Sequence, residues 1–583
     1  MNRLFVVTTV AGLILAAIAG CIGEEKSQED TTDEEPGFLG GFSNTAVFAG
    51  DYRMEESSYV SGRVLQDGLY EMLPGEVVYL KSEQLDGTDI QIGIIKPNVP
   101  QGVKIPVIAD AGPYFTPMPD NKVFQERIGR WAENFVPHGH AFALIPIRGS
   151  ANSGGGSDLC GPQEAADLNQ AVTWLGQQEW CNGNVGMIGK SYDGSTPWEV
   201  AATGNPHLKT IVPISGISDM FTLLFKNGTE SRAPVVFHTL YYLYGFANNN
   251  PDNGRSAKNT AEGIADVSFP VGATMSVYST LTGERDPLGY WAARNYRPDL
   301  EKNYKGSILL VHGLQDWNVD PHNAYPWINT LEDKGLAVKH MLGQWGHHHP
   351  DSMEIEGTEH MRWDWQEILL HWFDYWLKGN ESVDLGPRAQ VEDSSGRWRN
   401  EETWPPKDTA SVTFYLTVDG KLSTDPSGDS GEASMSILGS SESPVFISEP
   451  IDNGLRFAGS PAINLTVTPQ MSGGQITALL YSTADGSSMQ RVGCGQVDLG
   501  FNGGEKRQLV IPGQEMQVTL MLQPLDVVIA PGSCLVLKFT QNGYEDHLNL
   551  APLPVTLAIG GNCSRITLDT FERQDDVFFT PPE

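Results

Sequence analysis

The chain is poor in positive charge, in cysteine and in long apolar runs, and each scarcity excludes something. Of its 583 residues 38 are Lys or Arg against 72 Asp or Glu, a net charge of −34. A surface that acidic does not neutralise phosphates, which sets nucleic acid aside as a partner, and the charge reads as a device for solubility. The six cysteines show neither CxxC nor Cys/His ligand spacing, so no metal site is expected from them. Beyond residue 20 no segment is long and apolar enough to span a membrane. No internal repeat is present. The chain is nevertheless no disordered polyanion: 40% of it is hydrophobic, and 14 Trp with 22 Phe require a core. Its length allows about three domains.

The one long apolar run, residues 4–20, follows Arg3 and ends Ile18-Ala19-Gly20-Cys21. It has the length of a signal-peptide core and is short for a spanning helix. Small residues before Cys21 resemble a lipoprotein processing site, with Cys21 lipidated as the mature N-terminus; an uncleaved membrane anchor is the alternative. Either way the rest of the chain is expected outside the cytoplasm, held to the membrane by the anchor. Residues 22–45 begin with a run of acids broken by one Lys and read as a solvated tether. Exported proteins keep disulfides. Cys160 and Cys181 flank one predicted helix and make the best candidate pair, and two of Cys494, Cys534 and Cys563 are available for another.

From 75 to 350 short apolar runs alternate with longer periodic segments. Residues 105–110, 141–146, 185–189, 209–214 and 307–312 read as buried strands. Residues 120–136, 163–179, 192–203 and 322–334 read as helices. This alternation predicts an α/β domain over 46–379, with a mostly parallel sheet covered on both faces. It breaks at 217–297, an aromatic, Asn/Gly-rich insertion expected to form a helical cap over the carboxyl edge of the sheet. Residues 361–378 have helical spacing, with Gly379 as a C-terminal cap. From 386 to 583 short Val/Thr/Leu/Ile runs between turn residues predict an all-β jelly-roll sandwich.

The chemistry concentrates in VGMIGKSYDGS, 185–195. A buried strand enters Gly189-Lys190-Ser191-Tyr192-Asp193-Gly194 and a helix follows, the context of a strained elbow that exposes a nucleophilic serine. The spacing is G-x-S-x-x-G rather than the commoner G-x-S-x-G. A serine needs a base, and the base an orienting acid; in this fold they follow in the order Ser, acid, His. Asp316 lies just past the strand 307–312, with Asp320 as its rival. The run 338–342 leads into His347-His348-His349, where His347 stands as the base and His348 as its rival. Consecutive histidines on regular backbone do not all face one point, which argues against metal. The Tyr192 N–H is one donor for an oxyanion, and Tyr114, after the strand 105–110, offers a second through its hydroxyl.

With these residues in place the sequence resembles the X-prolyl dipeptidyl aminopeptidase and cocaine esterase family of serine hydrolases, from about Val77 to the C-terminus. GKSYDG is similar to the family's G-x-S-Y-x-G elbow. GQWGH (343–347) resembles its G-P-W-x-H, which singles out His347. Gly112-Pro113-Tyr114 matches its Pro-Tyr, whose hydroxyl completes the oxyanion hole. HGLQDWNV (312–319) and WAARNY (291–296) look most like the dipeptidyl peptidase branch. WFDYWLKG (372–379) resembles the helix leaving the catalytic domain, and the stretch from Val391 to Pro406 the start of the C-terminal jelly roll. The resemblance implies an α/β-hydrolase domain, a helical cap and a β-sandwich. Two departures stand out. Lactic-acid-bacterial members carry a large N-terminal domain where this chain has a short segment, so a more open site is expected. Asp193 replaces a frequent Leu.

The expected enzyme acts through an acyl-enzyme on Ser191, with His347 as base, Asp316 as orienting acid, Tyr114 and Tyr192 at the oxyanion, and no cofactor. Its substrate is a peptide, with Xaa-Pro dipeptides released from the N-terminus, or a small ester or amide. A non-catalytic surface binding protein is the remote alternative. Asp193 and Glu230 are candidates for a substrate ammonium, and Trp291, Tyr296 and Trp317 for pocket walls. Nothing in the sequence bears on oligomeric state.

Overall fold

The computed structural model describes residue 64, residues 66–115, 120–122, 129–231, 268–352, 362, 364–435, 443–502, 506–543, 547–548, 553–571 and 576–577. The leader, Cys21, the acidic tether and the middle of the cap lie outside them. Among the described residues no helix is long and apolar enough to cross a membrane.

Strands β1 (Glu76–Lys81), β2 (Asp89–Ile95), β3 (Ile105–Gly112), β4 (Ala141–Pro146), β5 (Cys181–Lys190) and β6 (Leu208–Ile214) alternate with helices α1 (Arg130–Phe135), α2 (Pro162–Gly176) and α3 (Tyr192–Thr203). An insertion follows. It contains α4 (Met220–Leu224), a hairpin of β7 (Phe225–Lys226) and β8 (Thr229–Ser231), and α5 (Ser268–Thr282). The core resumes with α6 (Arg297–Asn303), β9 (Ser307–Gly313), α7 (Trp327–Asp333), β10 (Val338–Gly343) and α8 (Trp365–Lys378). Two further strands, β11 (Ala389–Glu392) and β12 (Trp398–Glu401), complete it.

The sheet runs β1-β2-β4-β3-β5-β6-β9-β10-β11-β12, closed at its edge by Asp576–Val577. From β4 through β3 to β11 the pairs are parallel. Every residue of β3 and β9 is buried, because helices cover both faces. The alternation of side chains assigns them. Val107, Ala109 and Ala111 of β3 pack with α2, α3, α6 and α7, and Ile108 packs with α1 and α8. In α8 the Trp372 indole reaches Thr210 at 2.7 Å, and Gly379 at φ 69° ends the helix in the left-handed conformation that glycine adopts without cost.

Residues 410–570 form a largely antiparallel sandwich around their own core, which includes Phe414, Leu465, Leu480, Leu537 and Ile566. The all-β region expected from 386 therefore begins later. Residues 389–401 belong to the α/β sheet, where β11 pairs with β10 in parallel register, His340 against Ala389. Asp526 of the sandwich clamps this junction. It accepts from the Arg399 guanidinium at 2.5 Å and from the Trp404 indole at 3.0 Å. The insertion is tied to the sandwich as well, since β8 pairs with His547–Leu548.

The expected Cys160–Cys181 disulfide is absent: both are buried thiols, and among the described residues Cys494, Cys534 and Cys563 form no disulfide either. The reason lies in the topology. A helix crossing antiparallel to the strands puts its two ends at opposite edges of the sheet, and the 15 residues of α2 span about 22 Å. Flanking a helix is what separates the two thiols.

Candidate active site

The parallel register brings the carboxyl ends of β3, β5, β9 and β10 to one edge. Gly112 pairs with Pro146, Lys190 with Ile214, and Gly343 with Gly313. Tyr114, Ser191, Asp316 and His347 each follow one of these strands within a few residues. Their chain order becomes proximity for that reason.

Ser191 sits between β5 and α3 at φ 66° and ψ −123°, a strained conformation for a residue with a side chain. Its N–H donates to the Ile214 carbonyl at 3.0 Å, and its carbonyl accepts from the Ser195 hydroxyl at 3.0 Å. The G-x-S-x-x-G spacing has a steric cause. A Cβ at Gly189 would stand 2.3 Å from the Asp193 carbonyl oxygen, and one at Gly194 would stand 2.6 Å from that of Ile214.

His347 Nδ1 meets Asp316 Oδ2 at 2.7 Å. The other carboxylate oxygen, Oδ1, accepts from the N–H groups of Asn318 and Val319, both at 2.9 Å. Burial by itself raises the Asp316 carboxyl. The His347 charge and hydrogen bond, with His312 beside them, outweigh burial and hold it below the usual carboxylate range. The rival acid Asp320 is engaged elsewhere, in an ion pair with Lys226. The Lys190 ammonium donates to the His347 carbonyl at 3.0 Å and ties the histidine loop to the elbow. Gln344 anchors the same loop from behind, its N–H on Glu392 at 2.7 Å.

Ser191 and His347 share the wall of one cavity of about 330 Å³ with Tyr114, Asp110, Asp193, Lys190, Asn318, Trp131 and His349. His348, the rival base, does not line it. Asp110 and Asp193 are both buried. Burial, and then the neighbouring Asp110 carboxylate, push the Asp193 carboxyl well above its usual range, against the opposing charge of Lys190.

Of the five residues expected to bind substrate, Asp193 alone reaches this cavity. Trp291 is fully buried among Phe221, Phe225 and Tyr290, its indole N–H on Ser279 at 2.9 Å. Tyr296 is buried with its hydroxyl on the Cys160 carbonyl at 2.6 Å. Trp317 packs against Leu479, Tyr481 and Val536 of the sandwich, under Arg491. Glu230 lies in β8, where burial lifts its carboxyl to about 7. Trp291 and Tyr296 pack within the core, Trp317 packs the loop after β9 onto the sandwich, and none of the three lines this cavity. Sequence reasoning missed Asp110, Lys190, Trp131, Asn318 and His349. Asp110 did carry a signal, a charge closing an otherwise apolar strand. Among the described residues the donor atoms of Cys160, Glu164 and Glu199 lie within 4.8 Å of one another, as a set that a metal ion would need. They stand behind the elbow and outside the cavity wall.

A strained serine and a carboxylate-held histidine at the carboxyl edge of a parallel sheet define an α/β-hydrolase of the serine type. Residues 86–349 match the family described as X-Pro dipeptidyl-peptidase (S15 family), and residues 380–540 match the C-terminal non-catalytic domain of X-Pro dipeptidyl-peptidases. The chain belongs to the X-prolyl dipeptidyl aminopeptidase and cocaine esterase family. It is 29% identical over 469 residues to a putative Xaa-Pro dipeptidyl-peptidase of Streptomyces avermitilis, covering 70% of this chain and 64% of that one. The match thus spans slightly less than two thirds of that relative. A cocaine esterase of Rhodococcus is 25% identical over 414 residues, 66% of this chain and 69% of that one. In structure the chain is similar to an aminopeptidase from a marine-sediment Thaumarchaeota archaeon, with a TM-score of 0.67 at 15% identity over 90% of this chain and 100% of that one.

Proposed function

We propose that this chain is an extracytoplasmic Xaa-Pro dipeptidyl-peptidase working through a Ser191-His347-Asp316 triad. The observation that carries the reading is a histidine held by Asp316 at 2.7 Å that shares a cavity wall with a serine on a strained elbow. Ser191 Oγ attacks the carbonyl carbon while His347 Nε2 takes its proton. Asp316 holds the Nδ1–H tautomer and stabilises the imidazolium. The oxyanion lies between the Tyr192 N–H and the Tyr114 hydroxyl. His347 returns the proton to the leaving amine, and water releases the acyl group by the same route. No step requires a cofactor.

The peptidase reading rests on relatives bearing that name and on the Asp110–Asp193 pair. A substrate ammonium entering the cavity would meet both carboxyl groups, and its charge would favour their ionised forms against the burial that pushes the Asp193 carboxyl up. If so, acetylating the N-terminus of an Xaa-Pro-anilide lowers kcat/KM by at least about tenfold, the order of one charged hydrogen bond. Equal turnover of the free and acetylated anilides, with faster turnover of simple esters, would replace the peptidase with an esterase of the cocaine esterase kind.

Tyr114→Phe tests the oxyanion. The ring stays and one donor goes, so kcat is expected to fall roughly 10²–10³-fold with KM little changed. An unchanged kcat would leave Gly112-Pro113-Tyr114 as a plain turn. Export rests on the leader at 4–20 and on Cys21 as lipid acceptor. Cys21→Ser is expected to move the protein out of the detergent phase, and identical partitioning of variant and wild type would count against lipidation.

A further inference from the structure

The elbow is gripped from behind through a single hydroxyl. Tyr192 is buried, and its hydroxyl accepts from the Cys160 N–H at 2.7 Å and donates to Glu164 Oε2 at 2.9 Å. The turn that presents the Cys160 N–H is itself strained, with Leu159 at φ 50° and Cys160 at φ 51°. It is braced on its far side. Arg294 donates to the carbonyls of Leu159 at 3.1 Å and Asp158 at 2.7 Å, and to the Asp158 carboxylate at 2.9 Å. Tyr296 holds the Cys160 carbonyl. Glu164 stands in the first turn of α2, and Glu199, two turns along α3 from Tyr192, meets it in the same buried group.

None of these groups lines the cavity. They reach the chemistry through the Ser191–Tyr192 peptide, whose N–H is the proposed oxyanion donor. The donor serves only while its N–H points at the oxyanion: a hydrogen bond weakens steeply below about 120°, and a rotation of that peptide past this limit loses it. The Ser191 conformation is strained; Ile214 holds its N–H and Ser195 its carbonyl, and the Tyr192 hydroxyl is a further tie against relaxation of the same peptide.

We propose that Glu164 and the Cys160 N–H are positioning groups that hold the elbow in its catalytic conformation through the Tyr192 hydroxyl. The proposal rests on the function reading above. The Tyr192 hydroxyl is what the two strained segments, 159–160 and 191, share.

The test uses Tyr192→Phe, Glu164→Gln and Glu164→Leu in the full chain, with Ser191→Ala beside them. Each is assayed for kcat, KM and affinity for a small boronic acid, which forms a tetrahedral adduct on a nucleophilic serine. Tyr192→Phe keeps the ring and the backbone N–H. It is expected to lower kcat about 10–100-fold, less than outright loss of a donor, with KM within about twofold. Boronate affinity should fall with kcat, since both report the tetrahedral state. Glu164→Gln retains an acceptor for the hydroxyl and is expected to keep kcat within about threefold of wild type. Glu164→Leu removes one of the two bonds that Tyr192→Phe removes, so it is expected to lower kcat by no more than Tyr192→Phe does, and the double variant to be no worse than Tyr192→Phe. If Glu164→Leu does not fold, the comparison of Tyr192→Phe with Glu164→Gln carries the test. Wild-type kcat and boronate affinity in Tyr192→Phe would overturn the proposal, as would a loss confined to KM. Activity surviving in Ser191→Ala would instead overturn the function reading.

Discussion

Ser191→Ala is expected to fold with an unchanged melting profile and to lose kcat/KM by about 10⁴–10⁶-fold. The structural cost is small, because the bonds that place residue 191 are made by its backbone to Ile214 and Ser195 and survive the change. The chemical cost is total for the covalent route, and the residue left is what oxyanion binding alone supplies. His347→Ala should lose nearly as much, since triad members act as a unit. His348→Ala should stay close to wild type, because that ring is not in the cavity wall. A fluorophosphonate probe gives a second readout, labelling the wild type and not Ser191→Ala. Hydrolysis by Ser191→Ala within tenfold of wild type would end the nucleophile assignment. Absence of labelling in the wild type would favour the surface binding protein instead.

The parts of the fold legible in the sequence were those where burial dictates composition. β3, β5, β6, β9 and β10 are covered on both faces, so they read as near-continuous apolar runs, and their ends were found to within a few residues. The elbow was legible because the close approaches at Gly189 and Gly194 demand glycine in the sequence itself. What failed was relational. Cys160 and Cys181 look near in the chain, and only the direction of α2 separates them. β11 and β12 are short, with the same composition as sandwich strands, and pairing with β10 is a property of the partner. Trp291 and Tyr296 show the ambiguity of aromatic residues, since a core and a pocket wall are written with the same letters. Asp110 and Asp193 show the converse. Each is an isolated acid in sequence, and their shared cavity exists only once β3 and α3 pack together.

Asp316→Asn carries the second large effect, and the local geometry fixes its cause. Asp316 Oδ1 accepts two backbone N–H groups, from Asn318 and Val319. An asparagine at this position must keep its carbonyl oxygen toward them, because turning its NH₂ there would set donors against donors. The amide nitrogen then faces His347 Nδ1 as a donor. The imidazole is forced to accept at Nδ1 and to carry its proton on Nε2, the tautomer that has no lone pair for the Ser191 proton. The imidazolium formed during attack also loses its counter-charge. We expect kcat to fall by roughly 10³–10⁴ at neutral pH with KM little altered, the order seen when a triad acid becomes its amide. Asp316→Ala serves as the contrast. It leaves the two N–H groups and the histidine without a partner but imposes no tautomer, so its kcat is expected to exceed that of Asp316→Asn. The measurement is kcat and melting temperature for both variants beside the wild type. An Asp316→Asn enzyme within tenfold of wild-type kcat would show that the 2.7 Å contact with His347 does not set the tautomer during turnover.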